Sequence, residues 1–141
     1  MMTKPQAPTM TKSDAGALMF SKYYIDVLDW ARATRDDSGM DAVCGSSNQQ
    51  CKTIRGWISN MVEQDGIQYG GRNYLSMDGV NSLSHKSDTV YAYRTTGNGD
   101  AGEVRTSDGT VLGPVQAFST KVVLTMEWRD NAWVMVSANH A

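Results

Sequence analysis

The chain has 141 residues, with 13 lysines and arginines against 15 aspartates and glutamates, and a formal charge of -2. This is the length of one domain that can bury a core without a metal or several disulfides, and its charge balance gives no reason to bind nucleic acid or an anionic membrane. No stretch is long and apolar enough to span a bilayer as a helix.

Residues 1–12, with Pro5, Pro8 and small polar neighbours, carry too little to bury and read as a flexible spacer. They show no charged region followed by an apolar one, the pattern of a secretory leader. A single domain is expected over 13–141. Its first helix opens at Ser13 or Asp14 as N-cap. Ala17, Phe20, Tyr24, Val27, Leu28 and Ala31 recur at helical spacing and make one buried stripe. Lys22, Asp26, Asp29 and Arg32 fall on the more polar side, and the helix should end near residues 34–36.

Residues 40–43 read as one helical turn leading to Cys44. A second helix follows from about residue 50 to 64, with Ile54, Trp57, Ile58, Met61 and Val62 as its stripe. Gly66 is placed for a left-handed C-cap. From Ile67 the period changes to that of strands. The first is broken by Gly70 and Gly71, a bulge or sharp bend, and resumes at Tyr74. Residues 89–95 are rich in β-formers. Residues 97–113 read as a long glycine-bearing connection. The longest strand is expected over 115–128, and the turn at 129–132 returns it as a last strand from Trp133. Two helices followed by an antiparallel meander of about four strands give an α+β architecture with the helices on one face of a curved sheet.

Cys44 and Cys51 stand six residues apart in the corner between the helices. A disulfide there would clip the corner and imply an oxidising compartment, whereas two buried free thiols would suit a cytosolic protein. A metal site would need further ligands, and His85 and His140 lie far away, so no metal or cofactor is expected. Neither histidine falls into a recognisable triad order. His85 in a polar loop reads as a solvated histidine. The run from Gly97 to Gly102 is followed by no helix, so it is not a dinucleotide fingerprint; it reads as a flexible hairpin loop.

The residues 20–24 (FSKYY), the Cys-x6-Cys pair, Gly70-Gly71, and Glu127-Trp128 with Trp133-Val134 together resemble an uncharacterised family of actinobacterial cell-envelope lipoproteins. In that family a lipidated cysteine and a Pro/Thr-rich spacer precede a domain of the NTF2-like, or cystatin-like cone, class. The resemblance implies a strongly bent antiparallel sheet around the helices, and an outward-facing protein held to the membrane by a lipid anchor. Residues 1–141 carry neither the leader nor the lipid-accepting cysteine.

Folds of this class often hold a pocket between the first helix and the concave sheet. Tyr24, Asp26, Trp57, Tyr91 and Tyr93 are the candidate pocket residues here. An isomerase- or cyclase-like enzyme would use Asp26 or Asp29 as base, with Tyr23, Tyr24 or Tyr91 as donor to an oxyanion. Against that, both aspartates sit on the polar side of the stripe, and Tyr24 and Trp57 have core spacing. Tyr91 and Tyr93 share one strand face, which Tyr69 could join. The expected function is therefore a non-catalytic binding or interaction module of the cell envelope, its partner an envelope protein or component, or a second copy through the sheet face. The alternative is a carrier or enzyme for small apolar ligands, working in the cone interior. A cone plugged by Phe20, Trp57, Met126 and Met135 would favour the first.

Overall fold

The computed structural model describes residues 3–78 and 80–141. Helix α1 (Asp14–Thr34) is capped by Ser13, whose Oγ accepts from the Gly16 N–H at 2.9 Å. Helix α2 (Gln49–Gln64) is capped by Asn48, and Asp65, not Gly66, takes the left-handed C-cap with φ 55°. Gly66 sits instead where side chains crowd the backbone. A Cβ there would lie 2.7 Å from Met61 Sδ and 3.1 Å from Val104 Cγ1.

Eight strands follow among the described residues, where about four were expected: β1 (Ile67–Gly70), β2 (Asn73–Leu75), β3 (Ser84–His85), β4 (Val90–Gly99), β5 (Gly102–Arg105), β6 (Val111–Val115), β7 (Phe118–Arg129) and β8 (Ala132–His140). All pairings between strands are antiparallel. They form a three-stranded sheet, β1-β5-β6, and a five-stranded sheet, β2-β4-β7-β8 with β3 also on β4. The extra strands arise because three long strands break at one level. Gly70 pairs Gly102, which pairs Val115, on one side of the break; Asn73 pairs Gly99, which pairs Phe118, on the other. So β1–β2, β5–β4 and β6–β7 each continue across a shared crease. Backbone bonds hold it: Gly71 N–H to the Ala101 carbonyl at 3.2 Å and Asp100 N–H to the Arg72 carbonyl at 2.9 Å. The expected loop from Gly97 to Gly102 is thus paired strand up to Gly99 and again from Gly102, with Asp100 and Ala101 between, and its glycines serve the crease. Gly70 and Gly71 have φ near +68° and +67°, as a bend that L side chains resist requires.

The crease curls the sheet around α1, giving an α+β architecture in which the helices pack on the hollow face of a strongly bent antiparallel sheet, a cone. Phe20, Tyr24 and Leu28 of α1 pack on Tyr93, Leu124, Met126, Trp133 and Met135 of the concave face, with Met40 and Val43 closing the bottom. Cys44 and Cys51 are joined as a disulfide, Cα–Cα 6.3 Å. Residues 43–45 lie along β8, with Gly45 N–H bonded to the Met135 carbonyl at 2.9 Å and Met135 N–H to the Val43 carbonyl at 2.8 Å. The β7–β8 turn carries Asp130 and Asn131 at φ 53° and 63°, the primed hairpin geometry that matches strand twist. At the other end of the chain, Met10 packs against the core and the Thr11 carbonyl accepts from Trp133 Nε1 at 2.8 Å.

Candidate functional site

The site is built on Asp29. Helical spacing places it on the polar side of α1, yet its carboxylate is fully buried. The partners that make this tolerable come from the crease, which the period of a helix cannot reveal. Oδ1 accepts from the Asn73 backbone N–H at 3.0 Å and from Arg32 Nη2 at 3.3 Å, while Arg72 Nε donates to Oδ2. With its amide oxygen turned inward, Asn73 also accepts from the Arg32 guanidinium at 2.6 and 3.2 Å. Burial pulls the Arg32 pKa down and the neighbouring Asp29 charge pushes it back, so the guanidinium remains a cation. Two cations therefore share one carboxylate. Arg72 is half exposed on the outside, whereas the Arg32 side chain is only 15% exposed.

Arg32 and Asn73 form the wall of a cleft at the mouth of the cone, between the two helices and the crease. One lobe, of about 430 Å³, runs past Gln50, Ile54, Phe118, Val122 and His140. A second, of about 310 Å³, runs past Trp57, Gln68, Val104, Val115 and Phe118. From the rim a recess of only about 60 Å³ reaches inward to Ile25, Leu75 and Leu124. A larger hollow, about 940 Å³, lies instead in an outer groove between Trp30, Ala33, Ile67, Tyr69 and Arg72. Its one charged group, Arg72, is half exposed, so solvent screens its charge there.

The five pocket candidates do not converge. Tyr24 is buried, donates to Gln50 Oε1 at 2.7 Å and accepts from Asn48 Nδ2 at 3.0 Å; burial pushes its pKa up to about 12. Tyr93 is buried on the concave face. Ser21 Oγ donates to the Leu18 carbonyl at 2.7 Å, so the Tyr93 hydroxyl donates to Ser21 Oγ, at 2.5 Å. Tyr91 is also buried, tilted against Trp133 and stacked on His85 at 3.9 Å. Asp26 is half-buried near Lys22 and Arg72; burial raises its pKa and those cations oppose the rise. Trp57 alone of the five lines the cleft. Tyr69 does not join Tyr91 and Tyr93, because it sits exposed on β1 in the other sheet, with Arg105 over its ring at 5.1 Å. His85 is exposed, as expected of a solvated histidine, but it lies in β3 rather than in a loop, stacked on Tyr91, with Nε2 2.6 Å from Asp14 Oδ1.

Arg32, Gln50, Asn73 and Phe118 are the cleft residues the sequence reading passed over. The i,i+3 spacing of Asp29 and Arg32 was a visible signal for one of them. Asn73 and Phe118 come from distant strands brought together by the crease, and no local pattern marks them.

Residues 3–139 match the model described as "Family of unknown function (DUF6318)". No curated protein matches the chain. Among solved structures, the intermembrane space region of the chloroplast protein ARC6 is similar at a TM-score of 0.58 and 8% identity, over 92% of this chain and 98% of that one. A putative polyketide cyclase from Xanthomonas campestris pv. campestris aligns at a TM-score of 0.38 and 14% identity, over 85% and 87%. At such identities the first likeness speaks for the fold alone.

Proposed function

The chain belongs to the DUF6318 family, and because that family has no assigned activity we propose from the architecture itself that it is a non-catalytic binding module of the cell envelope, working through the mouth of the cone. The filled interior carries this reading. Phe20, Tyr24, Met126, Trp133 and Met135 are fully buried inside the sheet, and the recess that enters it holds about 60 Å³, less than small-molecule sites usually offer. A general base needs hydrogen-bond access to its substrate. The one fully buried carboxylate, Asp29, is occupied by Arg32, Arg72 and the Asn73 backbone, and Asp26 lies beside Arg72. An isomerase- or cyclase-like chemistry in the interior therefore draws no support from these side chains.

The disulfide speaks for an extracytoplasmic compartment. No helix among the described residues is long and apolar enough to cross a membrane. The finer assignment, an actinobacterial lipoprotein anchored upstream of residue 13, is supported by the sequence resemblance and by the compartment that the disulfide requires.

The test is a photo-crosslinking amino acid placed at Phe118, on the rim of the cleft, or at Val62, exposed on α2, in cells that export the protein. Adducts from position 118 with none from 62 are the expected result. Crosslinks from neither position, or equally from both, would overturn the cone mouth as the binding face.

A further inference from the structure

We infer that the cleft at the cone mouth receives a carboxylate, the head of a ligand with a short apolar body, and that Arg32 is the group that holds it; this rests on the reading of the mouth as the binding face.

The charge balance of the site is the first reason. Acidic residues outnumber basic ones in this chain, 15 to 13. Yet neither lobe of the cleft is lined by a single aspartate or glutamate, and the one charged side chain in both is Arg32. Its only acidic partner among the described residues is Asp29, which lies behind it and is shared with Arg72. Asp26, the next carboxylate on α1, lies near Lys22 and Arg72. The cation facing the cleft is thus only partly compensated.

Donor accounting is the second reason. A guanidinium carries five N–H donors. Asp29 and Asn73 engage the two Nη groups of Arg32, and its Nε–H has no protein acceptor among the described residues. Spare donors on a largely covered guanidinium, at the wall of a cavity, are what an anionic oxygen can use. An oxygen of a carboxylate that accepts from one of them makes a charge-assisted hydrogen bond, the strong kind.

The walls then set the body of the ligand. Ile54, Phe118 and Val122 on one side and Trp57 on the other are apolar, and Gln50 and Thr120 are uncharged polar groups beside them. Lobes of about 430 and 310 Å³ hold a short chain or one to two side chains. Such a carboxylate could belong to a free organic acid or to the end of a peptide chain.

Calorimetric titration of the disulfide-intact protein, with Trp57 fluorescence alongside, tests the inference and separates the two sources. The probes are octanoate against octanol, and N-acetyl-alanyl-leucine against its amide. Binding of at least one acid while its neutral counterpart fails is the expected result, and which acid binds identifies the source. Arg32→Gln should weaken that acid about tenfold or more, the loss of one charge-assisted contact. Should Arg32→Gln unfold on thermal melting, Phe118→Ser at the exposed rim must weaken the same acid several-fold. Acids and neutral counterparts binding alike would overturn the carboxylate while leaving the mouth a binding face. Binding of no probe would also overturn it, and crosslinking from position 118 would still decide the broader reading.

Discussion

Asn48 uses every polar group of its side chain. Oδ1 caps α2 by accepting the Cys51 N–H at 3.1 Å, and Nδ2 donates to the Tyr24 hydroxyl at 3.0 Å and to the Met135 carbonyl at 3.1 Å. Asn48→Ala therefore removes a cap and leaves two buried acceptors short of a donor, and should cost about 2–3 kcal/mol in chemical denaturation. Asp26 makes the opposite case. Burial raises its folded pKa, so the folded carboxyl keeps its proton to a higher pH than the unfolded one. Stability then falls as pH rises through the interval above the ordinary carboxylate value. Asp26→Asn should melt higher than the native protein near neutral pH, and the gap should close below about pH 3, where both side chains are uncharged. A lower melting temperature for the variant at neutral pH would mean that Lys22 and Arg72 outweigh burial.

The crease is the element on which the cone depends, and its glycines can be separated by what surrounds them. A Cβ on Gly102 would lie 2.4 Å from the Tyr69 carbonyl and 2.6 Å from the Gly71 nitrogen, backbone atoms that have no rotamer to yield. A Cβ on Gly113, in the neighbouring β6, meets nothing within 4 Å. Gly102→Ala should cost at least about 2 kcal/mol and Gly113→Ala less than about 0.5 kcal/mol. Both helices, the break at Gly70-Gly71 and the last hairpin were legible in the sequence, because helix stripes, glycine pairs and turn residues are local signals. The crease across the other two strands was not. Its glycines between 97 and 102 have a loop composition, and only pairing with β1, β2, β6 and β7 makes them strand. The same strands bring Arg72 and Asn73 to Asp29, so a carboxylate that the helical period places in solvent becomes buried.

For the molecule as a whole, the sequence marked the aromatic residues that fill the cone but not the cleft outside it. Tyr24, Tyr91 and Tyr93 were candidates for lining a pocket and are instead the packing that leaves little room for one. The cleft forms where α1, α2 and both sheets meet, and such a junction exists only in three dimensions. The disulfide corner, by contrast, was visible as two cysteines, though its second role was not. Reduction should lower stability by about 2.5 kcal/mol from the entropy of an eight-residue loop. The segment it anchors also lies along the outer edge of β8 and occupies the Met135 N–H and carbonyl. Loosened, it would bare that strand's unpaired backbone, the kind of edge that recruits strands from other molecules. Light scattering of the reduced protein should accordingly grow with concentration below its melting temperature, so that for this domain thiol oxidation governs self-association as well as stability.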